Sequence, residues 1–139
     1  MKWLVQKNQP KTWTLLEPGR NAELKYNNDG HSFRLSAADK RLFFLERKGL
    51  FQNRMLLKTE YNIVVGEIHF TPNIQSGQLI LDNEKFGFSV KGEELYLFSG
   101  NHEHFRAAIT GLRQLDAFEF SALLFGLVRV SHQHEPIMA

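Results

Sequence analysis

The stretch LDAFEFSALLFGLVRV, residues 115–130, is the strongest indicator of the fold because it has almost no polar face. Asp116 and Glu119 have the spacing of a capping box, which predicts that a helix begins at Ala117. A helix that is apolar nearly all round must be enclosed by protein or lipid. Residues 117–130 make a helix about 21 Å long, which is about the height of a small barrel. The alternative is a pair of core strands, since Phe118 and Phe120 also alternate.

The chain before this helix predicts short strands separated by turn signals, as in β-sandwiches and barrels. Asp29-Gly30 suits a tight hairpin turn, and Gly66 inside an apolar run predicts a bulge or bend. Residues 101–114 fit either an amphipathic helix or one more strand, and we favour the strand because the sheet needs a closed edge. The other predicted strands cover residues 12–16, 22–26, 32–35, 41–47, 51–58, 61–70, 78–81, 86–90 and 95–98.

These elements predict a mainly β fold, in which an antiparallel β-barrel or strongly curved sheet encloses the hydrophobic C-terminal helix. The composition, 42% hydrophobic and 23% charged, is that of an ordinary globular protein, and 139 residues fit a single domain over residues 1–139. The N-terminus has no apolar core of the signal-peptide type, and no apolar run reaches the length of about 20 residues that a membrane span requires. We therefore expect a soluble, cytoplasmic protein without a transmembrane segment.

Several classes of chemistry are absent from the sequence. The chain has no cysteine, which excludes disulfides, thiolate zinc sites and cysteine nucleophiles. It contains no G-x-S-x-G, P-loop, dinucleotide-binding or H-E-x-x-H motif. We therefore predict a non-catalytic binding module that needs no cofactor. The alternatives are a protein–protein interaction module and a small-molecule or metal-dependent enzyme with an unrecognised site, because carboxylates that are distant in sequence could meet in space.

Two His-x-His pairs are the candidate metal ligands, and they are His102/His104 and His132/His134. On an extended strand, residues i and i+2 point to the same side, so each pair could offer two imidazoles to zinc or nickel. Histidines this close to loops and a terminus are more often solvated, and we favour that interpretation.

The segment from Lys40 to Lys58 carries six basic residues against one acidic residue, Glu46. Such an excess can attract phosphate or an anionic membrane surface, and Leu50 or Phe51 at the Lys48-Gly49 turn could enter a lipid interface. The same cations could instead solubilise the outer face of a hairpin, and a protein partner could dock on its apolar tip. Nucleic acid is a less expected partner. The predicted ligand-binding residues are Lys40, Arg41, Arg47, Lys48, Arg54 and Lys58.

The many short strands, the basic hairpin, the pattern EYNIVVGEI and the final buried helix together resemble the tubby C-terminal-like barrels. That superfamily includes the phospholipid scramblases, the LURP-one-related proteins and small bacterial relatives. The resemblance covers roughly residues 33–130 and depends on pattern, without an invariant motif. It implies an antiparallel barrel closed around a hydrophobic helix, and the binding of phosphoinositides or other membrane lipids without catalysis. It does not allow phosphate-binding residues to be assigned one by one.

Overall fold

The computed structural model describes residues 2–36, 41–49, 53–72 and 75–132, which form eleven strands and a C-terminal helix. A short 3₁₀ helix at Leu112–Gln114 leads into the α-helix, α1, at Ala117–His132. The strands are β1 Lys2–Gln9, β2 Thr12–Glu17, β3 Arg20–Asn27, β4 Ser32–Leu35, β5 Leu42–Lys48, β6 Arg54–Thr59, β7 Val64–Phe70, β8 Ser76–Leu81, β9 Glu84–Lys91, β10 Glu94–Ser99 and β11 His102–Ile109.

The strands form a closed barrel in which each strand pairs with its neighbours in sequence, and β1 pairs with β11. Consecutive strands are antiparallel, so the first and last of eleven strands run in the same direction. The closing pair, which we call the β1–β11 seam, is accordingly parallel, with Leu4 opposite Ala108 and Val5 opposite Ile109. The expected barrel is confirmed. It contains one parallel pair because the number of strands is odd; with an even number, every pair could have been antiparallel.

Helix α1 lies inside this barrel, as its all-round apolar sequence predicts. A side-chain atom added at Gly126 would meet Leu24 on β3, while the ring of Phe120 lies 6.1 Å from that of Phe70 on β7. At the C-terminal end, Trp3 Nε1 donates to Ser131 Oγ at 3.1 Å. Strands on different sides of the barrel thus contact the helix along its length. Leucine, phenylalanine and valine side chains in the middle of the helix are completely buried.

The capping box begins the helix as predicted. The backbone N–H of Glu119 donates to Asp116 Oδ1 at 2.8 Å, and the N–H of Asp116 donates to Glu119 Oε1 at 3.2 Å. These reciprocal bonds satisfy N–H groups that the first turn of a helix leaves without partners.

Residues 102–109 form a strand, as favoured, and the predicted bulge is present at Val65, next to Gly66. Strand β1 is missing from the prediction although Trp3, Leu4 and Val5 form a short apolar run, because four polar residues and then Pro10 follow them. The expected strand 61–70 begins only at Val64, since a turn occupies the residues before it.

Candidate functional site

The basic hairpin divides its cations between different surfaces. Lys48 and Arg54 are register partners on the outside of β5 and β6, and Lys58 lies further along the outer face of β6. Arg47 is instead opposite Met55, which is completely buried, so its side chain starts from the inner side of the wall. Arg41 precedes the other end of β5, with its guanidinium 5.6 Å from the centre of the Phe43 ring.

Carboxylates accompany the three outer cations. Arg54 Nε lies 2.7 Å from Glu67 Oε2, and Lys48 and Lys58 both pair with Glu46. The hydrogen bond from Arg54 lowers the pKa of Glu67, and that from Lys58 lowers the pKa of Glu46, so both carboxylates are ionised at neutral pH. The hairpin therefore brings together Lys48, Arg54 and Lys58 within a cross-strand ion-pair ladder. Lys40, Leu50 and Phe51 lie outside the described residues.

The first histidine pair is on one side of β11, as the strand periodicity predicts. The rings of His102 and His104 lie 4.7 Å apart, and His104 Nε2 is 2.8 Å from Ser99 Oγ. Within residues 2–36, 41–49, 53–72 and 75–132, no group of three or more potential metal ligands gathers. His134 and the side chain of His132 lie outside the described part of the chain.

A cleft of about 730 Å³ with both polar and apolar lining lies on the outer wall, and we call it the β3–β4 cleft. The hairpin of β3 and β4 forms its floor, and the turns after β1 and β3 form its upper end. Its lining residues are Pro10, Lys11, Thr12, Lys25, Tyr26, Asn27, Asn28, Asp29, Ser32, Phe33, Arg34 and Leu42.

Two cations are direct neighbours across the floor of this cleft. Lys25 on β3 is the register partner of Arg34 on β4, and both side chains are exposed. Thr12 and Leu42 continue the same row on β2 and β5, while Asn27 and Ser32 form the next register pair. The cleft therefore offers cations beside amide and hydroxyl groups, with the carboxylate of Asp29 at its upper end.

Sequence reasoning missed this pair although a signal was present. The predicted hairpin around Asp29-Gly30 has a definite register, and counting outward from its turn brings Lys25 opposite Arg34. Eight residues of sequence separate Lys25 from Arg34 in a region of ordinary composition, whereas the Lys40–Lys58 segment has a visible local charge excess.

The inner border of the cleft connects to the start of α1. Lys11 Nζ lies 2.7 Å from Glu119 Oε2, and the Tyr26 hydroxyl is 2.7 Å from His31 Nδ1. The His31 ring stacks on Phe118, with ring centres 3.7 Å apart. Burial, followed by the charges of Asp116 and Glu119, raises the pKa of Tyr26 to about 12. The phenol consequently keeps its proton at neutral pH, and this cluster holds the helix start against the barrel.

The chain matches no protein-family model, no curated protein and no solved structure. None of the described helices has the length and apolar character needed to cross a membrane.

Proposed function

We propose that the protein is a non-catalytic binding module whose ligand carries a phosphate or a similar anionic group, bound in the β3–β4 cleft. The observation that carries the proposal is the direct opposition of Lys25 and Arg34 across two paired strands. Like charges at opposed positions of a sheet destabilise it. An anion bound between the two side chains would make a favourable contact with each of them.

The chemistry of the cleft suits a phosphate ester. Arg34 can grip two phosphate oxygens with its planar guanidinium, and Lys25 adds a point charge. Asn27 and Ser32 in the next register pair can bind hydroxyl groups of the rest of the ligand. The cleft volume of about 730 Å³ lies within the range of small-molecule sites, so it can take a ligand larger than phosphate alone.

We further propose that the protein is related to the tubby C-terminal-like barrels. The phosphate would then belong to a phospholipid headgroup. A barrel closed around a hydrophobic helix is the architecture that this resemblance implies, and it supports the proposal. The site proposed here is separate from the Lys40–Lys58 segment, whose outer cations Lys48, Arg54 and Lys58 form the ion-pair ladder with Glu46 and Glu67.

Vesicle sedimentation tests the proposal. We expect the 139-residue chain to sediment with phosphatidylcholine vesicles that contain phosphatidic acid, and to stay in solution with phosphatidylcholine alone. Added salt should weaken the binding because the contacts are ionic. The variant Lys25→Glu/Arg34→Glu should lose it. The matched control Lys48→Glu/Arg54→Glu reverses the same number of charges on the ladder and should retain most of it.

The controls separate the alternatives. Calorimetric titration with glycerol phosphate distinguishes a soluble phosphate ester from a lipid headgroup. If the protein binds glycerol phosphate but not vesicles, the cleft remains the proposed site and the ligand is a soluble phosphate ester, not a membrane lipid. If only the Lys48/Arg54 variant lost vesicle binding, the binding site would be the basic hairpin and not the cleft. If neither glycerol phosphate nor acidic vesicles bind, the proposed function is wrong.

A further inference from the structure

A second surface with a different character lies at the turn between β6 and β7. Tyr61, Ile63 and Val64 are 76%, 58% and 50% exposed, and they are three of the four large apolar side chains that the described residues expose. The fourth, Leu4, lies on the β1–β11 seam. Single exposed apolar residues need no explanation, but a contiguous group marks an interaction site.

The turn is held in a fixed conformation by the buried Thr59. The backbone N–H groups of Tyr61 and Ile63 donate to Thr59 Oγ1 at 3.2 and 3.3 Å. The N–H of Thr59 donates to the Ile63 carbonyl at 2.9 Å, and Asn62 adopts a left-handed φ of 65° between them. The apolar side chains are therefore presented by an ordered backbone, which lowers the entropic cost of binding a partner.

The β-bulge turns a further side chain outward. In a regular strand Val64 would share the inner side with Gly66 and Ile68. Because Leu57 opposes Gly66 while Lys58 opposes Val64, Val65 is the extra residue, and Val64 becomes half-exposed. Bulges commonly re-aim side chains in this way. The sheet itself thus extends the apolar surface of the turn.

A shallow groove of about 340 Å³ continues from the turn along the outer wall. Val64, Val65 and Ile80 supply its apolar lining, and Glu67 and Asp82 supply carboxylates. Glu60, the residue before Tyr61, is also exposed. Lys85 is the register partner of Ile80 and lies on the far side of the groove, while Lys58 is paired with Glu46. Glu67 is already paired with Arg54 and His69, so the acidic character of the turn and of the near end of the groove comes from Glu60 and Asp82.

We propose that this surface, Tyr61–Val64 with the Val65/Ile80 groove, binds an extended protein segment that alternates apolar and basic side chains. Apolar side chains of the segment would enter the groove, and lysine or arginine would face Glu60 and Asp82. The carboxylates argue against an anionic membrane as the occupant because like charges repel it. This surface is separate from the β3–β4 cleft, and the inference does not depend on the proposed function.

Nuclear magnetic resonance titration of the ¹⁵N-labelled 139-residue chain tests the assignment. The probe is an octapeptide of alternating leucine and lysine, and its control is the same peptide with glutamate in place of lysine. We expect the leucine–lysine peptide to shift amide signals of residues 60–67 and 79–83, with binding weakened at about 0.5 M NaCl. The leucine–glutamate peptide should leave these signals unchanged.

Matched variants locate the contact. Ile63→Ser should raise the dissociation constant about tenfold, since it removes a central apolar contact. Glu60→Lys/Asp82→Lys should weaken binding of the leucine–lysine peptide and permit binding of the leucine–glutamate peptide. Leu4→Ser removes the exposed leucine of the seam and should bind as the unaltered chain does. All these positions are exposed, and the spectrum of the folded barrel checks that each variant keeps its fold, including Asp82→Lys at a left-handed φ of 51°.

Three results would overturn the proposal. The first is the absence of shifts up to about 1 mM leucine–lysine peptide. The second is equal binding of both peptides, which would remove the charge argument. The third is broadening of the turn signals by phosphatidylcholine vesicles without any effect of the peptide, which would assign the surface to a membrane interface.

Discussion

Leu124 lies in the middle of α1 and is completely buried. Leu124→Asp would leave an unpaired charge inside the barrel, at a cost of about 3–5 kcal/mol, so we expect loss of the folded state in thermal unfolding. The matched control is Leu4→Asp, which makes the same change at an exposed position and should alter the free energy of unfolding by about 0.5 kcal/mol or less. A folded Leu124→Asp variant with an unchanged Tm would contradict the enclosed helix.

Gly77 on β8 is required by close approach of neighbouring atoms. A Cβ at this position would lie 2.0 Å from the His69 carbonyl oxygen and 2.9 Å from Phe88 Cζ. Since the carbonyl belongs to paired backbone, Gly77→Ala should destabilise the protein by about 3 kcal/mol and lower the Tm by roughly 10 °C. Gln78→Ala, at the exposed next position, should leave the Tm nearly unchanged. Equal Tm values for the two variants would show that the neighbouring strands move apart at Gly77 without loss of stability.

The ion-pair ladder across β5, β6 and β7 makes a prediction about pH. Arg54 holds the pKa of Glu67 below its ordinary value, so the ionised carboxylate stabilises the fold at neutral pH. That contribution is lost as the pH falls through the folded-state pKa of Glu67, because the unfolded chain then binds the proton more readily. Arg54→Met should therefore lower the Tm at neutral pH and have a smaller effect in acid.

The control for this prediction is Lys85→Met, which removes an exposed cation for which no ion pair is present among the described residues. Its effect on the Tm should vary less with pH than that of Arg54→Met. Measurement of the Tm by circular dichroism across the acid range distinguishes the two. An Arg54→Met effect that is constant down to strongly acidic pH would show that Arg54 acts through packing of its aliphatic chain and not through Glu67.

The parallel seam determines whether the molecule closes, and a cysteine-free chain allows a direct test. Leu4 and Ala108 are register partners, and neighbouring strands lie about 4.8 Å apart, within disulfide reach. Leu4→Cys/Ala108→Cys should oxidise to one intramolecular disulfide and stabilise the protein by up to about 4.7 kcal/mol, since it closes a loop of about 100 residues.

Non-reducing electrophoresis and the Tm before and after reduction measure this effect. Leu4→Cys/Arg106→Cys is the control, because Arg106 opposes Lys2 and is therefore out of register with Leu4. Efficient cross-linking of the control pair, with none in the Leu4/Ala108 pair, would mean that β1 and β11 pair in another register or direction.

The sequence by itself determined the local elements of this protein. The helix from Ala117 was predictable because its apolar residues cover nearly every side and because Asp116 and Glu119 form the capping box. The β3–β4 hairpin and the bulge beside Gly66 were predictable because turn residues and glycine act over a few positions of the chain. Strand periodicity also predicted that His102 and His104 lie on the same side of their strand.

Only the tertiary structure decided which surfaces these elements create. The parallel seam depends on the number of strands, and β1 gains its partner from residues about a hundred positions away. The ladder pairs Arg54 with Glu67 across two strands, so a cation that belongs to a basic cluster in the sequence lies beside a carboxylate of the neighbouring strand in space. The outward turn of Val64 likewise arises from its register against Lys58. In each case the physical reason is the same: net charge and exposure depend on neighbours across the sheet, which the order of residues along one strand does not specify.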